Sequence, residues 1–385
     1  MSGDNRKSVL ILTNGFSPNI GGVETHLDDL LCELGRRGWR VNVLAFFPLT
    51  TPVSWRRYEE RGTARIWRMW WFGCGWFHRL EHYAALQFLY LVPRLFLGTL
   101  CWLLRHGSGI GVIYANGLAP AFVARFLSPL FGKRIVFGSH SIYGFAPGSR
   151  MERVMGWILR PMQAVLGLSE ESTNELVRAG VRREVAATFR YWIDLERFSP
   201  GDRAAARQRL GVPAEAFVCL FVGRMIAIKG VRLLLEISKR PEFRDVLFLF
   251  AGVGPVADEV ARAAAQQPNV RYAGAIVNSD LPDYYRVADV LAVPSQYAEG
   301  FGRVILEALS CGTPVIGSDC PGIREATSPD VAWLIEPTAE KLAVQLARVL
   351  SDPAATAEKR ARCRQFASER YSTANVAVIE RMLGG

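Results

Sequence analysis

Two carboxylates stand eight residues apart in the stretch 294–308, PSQYAEGFGRVILEA, with Glu299 on a Gly-flanked loop and Glu307 about two turns into the helix that the loop opens. Carboxylates accept hydrogen bonds from hydroxyls, so this spacing sets the two acids against different parts of one elongated, hydroxyl-bearing ligand. Around Phe301, Gly300 and Gly302 leave backbone N–H groups open at the helix start, where the positive end of the helix dipole attracts an anion. Upstream, GRMIAIKG at 223–230 follows an apolar run directly and holds Arg224 and Lys229 five residues apart. A guanidinium fork and an ammonium point charge at a strand's carboxyl end can converge on one anion. Near the start of the chain, NIGGVETH at 19–26 puts Gly21 and Gly22 where a first strand turns into a helix, and the missing Cβ atoms let an anion approach the backbone. That turn matches neither G-x-G-x-x-G nor a P-loop, and a plain strand-to-helix connection would serve as well.

Paired carboxylates also cleave glycosides, one as acid and one as nucleophile or base. That chemistry leaves Arg224, Lys229 and the Gly-rich helix starts without a task. A nucleotide diphosphate carrying a sugar uses all of them.

The elements that must position these residues are short apolar runs, 9–12, 40–46, 111–114, 134–137, 217–222, 246–251, 290–293 and 314–317, alternating with helical stretches. Such alternation predicts an α/β fold with parallel, doubly wound sheets, whose ligand sits at the carboxyl ends of the strands. The polar stretch IDLERFSPGD at 193–202, with its Pro-Gly turn signal, marks a join between two such domains. Residues 366–385 read as a final helix.

The chain has 385 residues, half of them apolar, enough for two domains with proper cores. Disordered, collagenous and disulfide-scaffold classes are excluded by composition. Of the net charge of +10, the residues up to 195 carry 23 − 14 = +9 and the remainder 23 − 22 = +1, so the first half is attracted to an anionic partner. No nucleic-acid-binding motif accompanies that charge. The seven cysteines, Cys32, Cys74, Cys101, Cys219, Cys311, Cys320 and Cys363, are scattered without metal or redox spacing and read as reduced thiols with no disulfide partner. The start is polar to residue 7 and apolar only over 8–13, a first strand too short for a secretory signal.

The segment 55–105 interleaves Trp55, Trp67, Trp70, Trp71, Trp76 and Trp102 with Arg56, Arg57, Arg61, Arg65, Arg68 and Arg79, a composition suited to a membrane interface. For 55–77 the membrane reading is the stronger one, because a core would not tolerate so many unpaired arginines. Residues 83–104 are long enough to cross a bilayer, but Pro93 and Arg94 stand in the middle, and a central arginine costs about 2.5–3.5 kcal/mol on insertion. A buried helix or one lying on the membrane surface is expected instead.

The motifs NIGGVETH, GRMIAIKG, AGVGP (251–255), PSQYAEGFGRVILEALSCGTPVIGSD (294–319) and IDLERFSP (193–200) occur in family order over nearly the whole chain. In them the sequence resembles the retaining glycosyltransferases of family 4, which have the GT-B fold. The resemblance implies two Rossmann-like domains facing a central cleft, with a last helix crossing back to the first domain. On this reading residues 1–195 bind the acceptor and include the basic aromatic segment, 196–365 bind the nucleotide-sugar, and 366–385 return. Carried onto this chain, the family's roles give Glu307 the ribose hydroxyls, Glu299 the donor sugar, Arg224 and Lys229 the diphosphate, and the backbone of Phe301, Gly302, Gly21 and Gly22 further N–H groups. His140, in FGSHSIYG, matches a family histidine close to the reacting sugar, and His26 is a second candidate on the acceptor side.

Two positions depart from the family pattern. Tyr191 and Trp192 replace an Asn-Gly turn, bringing aromatics that would line the cleft, and Val253 stands where a polar residue is common.

The implied reaction transfers a hexose from a UDP- or GDP-sugar to a hydroxyl of a saccharide or lipid-linked saccharide, with retention and without a metal or other cofactor. The setting implied is bacterial polysaccharide or glycolipid assembly in the cytoplasm, with peripheral contact to an anionic inner membrane face. A nucleotide-sugar epimerase of the same architecture and a non-catalytic membrane-surface protein are the alternatives. An epimerase would convert donor without any acceptor.

Overall fold

The run Ser8–Thr13 is buried along its whole length, which is how a central strand reads when helices cover both faces of a parallel sheet. The computed structural model describes residues 7–19, 21–49, 53–73, 76–80, 83–297 and 299–384. The chain forms two compact units, Met1–Arg190 with Asn375–Gly385, and Tyr191–Ala374.

In the first unit the order is β1 (Ser8–Thr13), α1 (Gly22–Arg36), β2 (Arg40–Phe46), β3 (Tyr58–Arg61), β4 (Ala64–Met69), α2 (Trp76–Leu80), α3 (Ala84–His106), β5 (Val112–Asn116), α4 (Leu118–Leu130), β6 (Arg134–Ser139), α5 (Arg150–Leu159), β7 (Ala164–Gly167), α6 (Glu170–Arg178) and β8 (Ala186–Thr188). Its sheet runs β3-β4-β2-β1-β5-β6-β7-β8, parallel except for the β3–β4 hairpin. The winding direction reverses between β1 and β5. Leu10, Leu12 and Phe46 pack with Leu91, Leu95, Val123 and Met155 in one core beneath α3, α4 and α5.

The second unit continues with α7 (Arg203–Arg209), β9 (Phe217–Val222), α8 (Val231–Ile237), β10 (Val246–Ala251), α9 (Ala257–Gln266), β11 (Val270–Gly274), α10 (Leu281–Val287), β12 (Val290–Val293), α11 (Arg303–Ser310), β13 (Val315–Ser318), α12 (Pro321–Ala326), β14 (Ala332–Ile335), α13 (Ala339–Ser351) and α14 (Pro353–Arg370). Its sheet is β11-β10-β9-β12-β13-β14, every described pair parallel, and reverses between β9 and β12. Asp289, just before β12, accepts from Arg207 Nη2 at 3.1 Å and from the Val218 N–H of β9 at 2.8 Å. These bonds fix the register at the reversal.

The last helix, α15 (Val376–Gly384), belongs to the first unit. Glu380 accepts from Arg37 at 3.0 Å and from Trp39 Nε1 at 3.1 Å, and Arg134 donates to the Leu383 carbonyl at 2.9 Å. The stretch 366–385 is not one helix. It breaks at Tyr371, buried with its hydroxyl on the Ala326 carbonyl at 2.8 Å, so 366–370 finish α14. The boundary falls before Tyr191 because Ile193 N–H bonds the Tyr371 carbonyl at 3.0 Å and Tyr191 meets Phe301 edge to face. Both Tyr191 and Trp192 are buried.

The arginines of the β3–β4 hairpin are paired, against the sequence expectation. Buried Arg68 reaches Glu59 at 2.8 Å and the Ser17 carbonyl at 2.6 Å, and Arg61 pairs with Asp28 at 2.9 Å. The partner acids lie partly on the same hairpin and partly on α1, so no local spacing announced them. Trp102 is buried, Trp67 meets it edge to face at 5.2 Å, and Trp71 donates to the Tyr90 carbonyl at 3.0 Å.

One described helical span, 85–109, is long and apolar enough to cross a membrane by length and composition, and 39% of its apolar window is buried in the protein. The described cysteines are free thiols, and Cys74 lies outside the described residues.

Candidate functional site

In a doubly wound sheet, the loops on either side of the winding reversal part and leave a crevice at the carboxyl ends of the strands. In the second unit those loops follow β9 and β12, and they carry Arg224, Lys229 and Glu299. The loops are closed on one another: Gln296 N–H bonds the Ile228 carbonyl at 2.7 Å, and Gly230, at φ +76°, lies so close that a Cβ there would fall 2.1 Å from the Pro294 carbonyl oxygen. Only glycine fits that turn.

This closure brings Lys229 Nζ to 2.5 Å from Glu299 Oε1, and Ser295 Oγ donates to the same oxygen at 2.5 Å. Glu299 is buried, and the Lys229 ammonium lies over the Tyr297 ring at 5.1 Å. Burial alone would lower the Lys229 pKa, but the Glu299 carboxylate overcomes it and leaves it raised. The Tyr297 phenol is pushed up by burial and by Glu299, against opposing pulls from Lys229 and Arg224. Arg224 itself is exposed, so its side chain is open to solvent while its charge reaches Tyr297. Ala298 lies outside the described residues.

Glu307 stands on α11, buried, and its two oxygens are engaged separately. Tyr285 of α10 donates to Oε2 at 2.7 Å, and Arg303, one turn earlier on α11, donates to Oε1 at 3.2 Å. Burial, with the neighbouring Glu307 charge adding to it, drives the Tyr285 phenol far above its ordinary value. Gly302 precedes the helix at φ +66°, a left-handed conformation that other residues adopt at a cost. Phe301 is buried edge to face against Tyr191 and Tyr371, so its ring belongs to the core and only its backbone is left for a ligand. The sequence reading missed Tyr285. Its one signal was a tyrosine on the inward side of a short helix, and nothing in the spacing tied it to Glu307 22 residues later. Val253 is exposed, and its carbonyl accepts the Met225 N–H at 2.8 Å, so the backbone there serves the loop whatever the side chain.

The first unit holds the remaining residues at its own reversal, around the ends of β1, β5 and β6. His26 on α1 and His140 after β6 lie with ring centroids 5.1 Å apart, each also against Phe189. Burial pushes the His140 pKa down to about 3, so the ring is neutral at physiological pH. Asn116, the last residue of β5, donates to Thr13 Oγ1 at the end of β1 at 2.9 Å. The side-chain carbonyl oxygens of Asn14 and Asn116 are buried and have no hydrogen-bond partner among the described residues. Gly21 precedes α1 in an extended conformation, and a Cβ on it would fall 2.3 Å from a Glu24 carboxylate oxygen. The Gly-Gly turn thus already has a carboxylate of its own chain against it. Gly22 opens α1. Among the described residues no three His, Cys, Asp or Glu side chains form a group able to hold a metal ion.

Two doubly wound α/β sheets, one parallel and one parallel but for its edge hairpin, fit the GT-B class of fold, and solved structures agree. Sucrose-phosphate synthase from Thermosynechococcus elongatus superposes with a TM-score of 0.81 over 98% of both chains at 22% identity. Anabaena HepE, solved in complex with UDP and glucose, does so with a TM-score of 0.74 over 98% of both chains at 22% identity. In sequence, 21–192 match the glycosyl transferase 4-like domain and 202–370 the glycosyl transferases group 1. The chain belongs to the group 1 glycosyltransferases of family 4. It is 33% identical over 213 residues to a D-inositol 3-phosphate glycosyltransferase of Kribbella flavida, a match over 51% of this chain and 50% of the relative. The chain thus spans about half the length of that curated relative.

Proposed function

We propose that the protein is a retaining glycosyltransferase, moving a hexose from a UDP- or GDP-sugar to a hydroxyl of a saccharide or lipid-linked saccharide. The setting we assign is bacterial polysaccharide or glycolipid assembly at the cytoplasmic face of the membrane. The observation that carries this reading is the Lys229–Glu299 pair on the loops at the reversal of the second sheet, with buried Glu307 on the helix that the second loop opens. Lys229 and Arg224 meet the diphosphate, Glu299 the hexose hydroxyls and Glu307 the ribose hydroxyls, and the α11 start contributes backbone N–H groups. The UDP and glucose named with Anabaena HepE support a donor of this class.

As the sugar–phosphate bond breaks, negative charge grows on the departing phosphate oxygen, and fixed cations aimed there lower the barrier. The departing oxygen then helps remove the acceptor proton on the same face, which keeps the configuration. No metal enters this scheme. In the first unit, the buried Asn14 and Asn116 oxygens want hydroxyl or amine donors, and the His140 ring, kept neutral by burial, adds no charge, which suits a polyol acceptor.

The test is a panel of nucleotide-sugars scored by thermal shift, since a ligand raises stability as RT ln(1 + [L]/Kd). A UDP- or GDP-sugar should raise the melting temperature, and the anomeric configuration of the product, read by NMR, should match the donor's. No response to any nucleotide-sugar, or an inverted product, refutes the proposal.

A further inference from the structure

We infer that the outer face of α3, α4 and α5 is a docking surface for an anionic phospholipid bilayer. The inference takes its occupant from the membrane setting proposed above, but nothing in it depends on transfer chemistry. Helix α3 is apolar over most of its circumference, a pattern that calls for burial on more than one side. Its inner stripe is buried in the core. Its outer stripe, Leu86, Leu89, Pro93, Leu97, Cys101 and Leu104, recurs every three or four positions and is exposed, with Leu89 at 68%, Leu97 at 58% and Leu104 at 70%.

The exposed face continues across helices distant in sequence. Phe88 of α3 meets Phe122 of α4 edge to face at 5.1 Å, Phe122 meets Phe126 at 4.9 Å, and Phe126 lies 6.0 Å from Trp157 of α5. Arg125 stacks on Trp157 with its guanidinium carbon 4.1 Å from the ring centroid, which holds that charge at the surface beside the aromatics.

Charge selects the occupant. The three helices carry Arg94, Arg105, Arg125, Arg150 and Arg153 against a single acid, Glu152. Glu152 is buried and accepts the Gly148 N–H at 2.5 Å, so it offers the face no countercharge. A second copy of the chain would set these arginines against their own equivalents across a two-fold axis. Anionic headgroups neutralise them, while the leucine and aromatic side chains enter the headgroup–acyl boundary.

The experiment floats the full chain with vesicles of phosphatidylcholine alone or mixed with phosphatidylglycerol, at low and high salt. Wild-type protein should float with the mixed vesicles at low salt, less at high salt, and little with phosphatidylcholine alone. Arg125→Gln with Arg153→Gln should weaken partitioning about 25-fold, roughly fivefold per charge. Leu89→Gln with Leu97→Gln should weaken it at least about tenfold at either salt. Both pairs should keep the wild-type melting temperature and the donor-induced thermal shift, which reports the other unit.

Absence of flotation at low salt overturns the inference, as does flotation that neither double variant weakens. A wild-type dimer in sedimentation that the leucine variants split, without vesicle binding, would make the face a self-association surface instead. Vesicle binding without sugar transfer leaves this inference standing and removes the proposed activity. Transfer to a soluble acceptor without vesicle binding does the reverse.

Discussion

At the reversal of the second sheet, the ends of β9 and β12 carry a lysine, an arginine and a buried acid, with a second acid on α11. At the reversal of the first, the ends of β1 and β5 carry Thr13, Asn14 and Asn116, with His140 after β6 and His26 and Glu24 on α1. One topology thus presents the same kind of strand end twice, and the side chains differ in the work they can do. Fixed opposite charges at 2.5 Å hold their geometry without a ligand and suit a partner bearing both phosphate and hydroxyls. A neutral His140 ring and amide oxygens with no hydrogen-bond partner among the described residues suit a polar partner without negative charge. The fold sets where a ligand binds, and the residue types at each end set its chemistry.

The comparison breaks most readily at Glu307. Replacing it by Ala leaves Arg303 and the Tyr285 hydroxyl buried without their acceptor, a loss of about 3–5 kcal/mol. Glu307→Gln keeps an acceptor for the tyrosine and should cost about 1–2 kcal/mol while still removing most of the donor-induced thermal shift. Urea melts with and without donor read both effects. A full donor response in Glu307→Gln would take the ribose role from this residue.

Next come Glu299→Gln and Lys229→Ala, each expected to lower kcat by about 10² to 10³. The raised Lys229 pKa fixes the sign of its pH dependence. The stability that the pair contributes is fully present below the ordinary lysine value of 10.5 and is lost only as pH rises through the raised one. Steady-state kinetics between pH 6 and 9 should therefore show no alkaline limb from this group, and a limb that Lys229→Arg removes would contradict the assignment.

At the end of the first sheet, His140 carries the opposite sign. Its folded pKa of about 3 lies below the ordinary 6.5, so the neutral ring stabilises the fold above 6.5 and that contribution fades as pH falls towards 3. Wild-type protein should lose about 3 kcal/mol between pH 6.5 and 4 from this residue, and His140→Gln should flatten that part of the urea-melt profile. An NMR titration of His140 centred near 6.5 would show a solvated, chargeable ring and erase the contrast between the crevices.

Both crevices were legible in the sequence to different degrees, for a physical reason. The runs 40–46, 217–222, 246–251 and 290–293 are strands to the residue, because strands buried on both faces are continuous apolar runs bounded by turn residues. The motifs after them fell on the loops they were assigned to. The hairpin β3–β4 went unread because arginines interrupt it; Glu59 meets Arg68 only once the hairpin pairs, and Asp28 meets Arg61 only once α1 is folded beside the sheet. The His26–His140 contact was equally hidden, since 114 residues separate two rings whose centroids lie 5.1 Å apart. Local chemistry is written locally, whereas pairing across the sheet is a property of the fold.

The smallest expected effect sharpens the contrast at the level of backbone. Gly302 holds φ +66° at the start of α11, whereas Gly21 before α1 is extended at φ 177°, a conformation that any residue adopts. Gly302→Ala should therefore cost about 1–2 kcal/mol, or roughly 2–8 °C in melting temperature, and a new Cβ would sit 3.0 Å from Ile305 Cδ1. Gly21→Ala meets a different obstacle, the Glu24 carboxylate 2.3 Å away, and that side chain can turn aside. If the Gly302 conformation exists to present N–H groups to a phosphate, its substitution should weaken donor binding by more than the stability loss explains, while Gly21→Ala leaves donor affinity within about twofold. Equal losses of donor affinity in both would mean that the first unit's turn also grips the phosphate, and the division between the two sheet ends would fall.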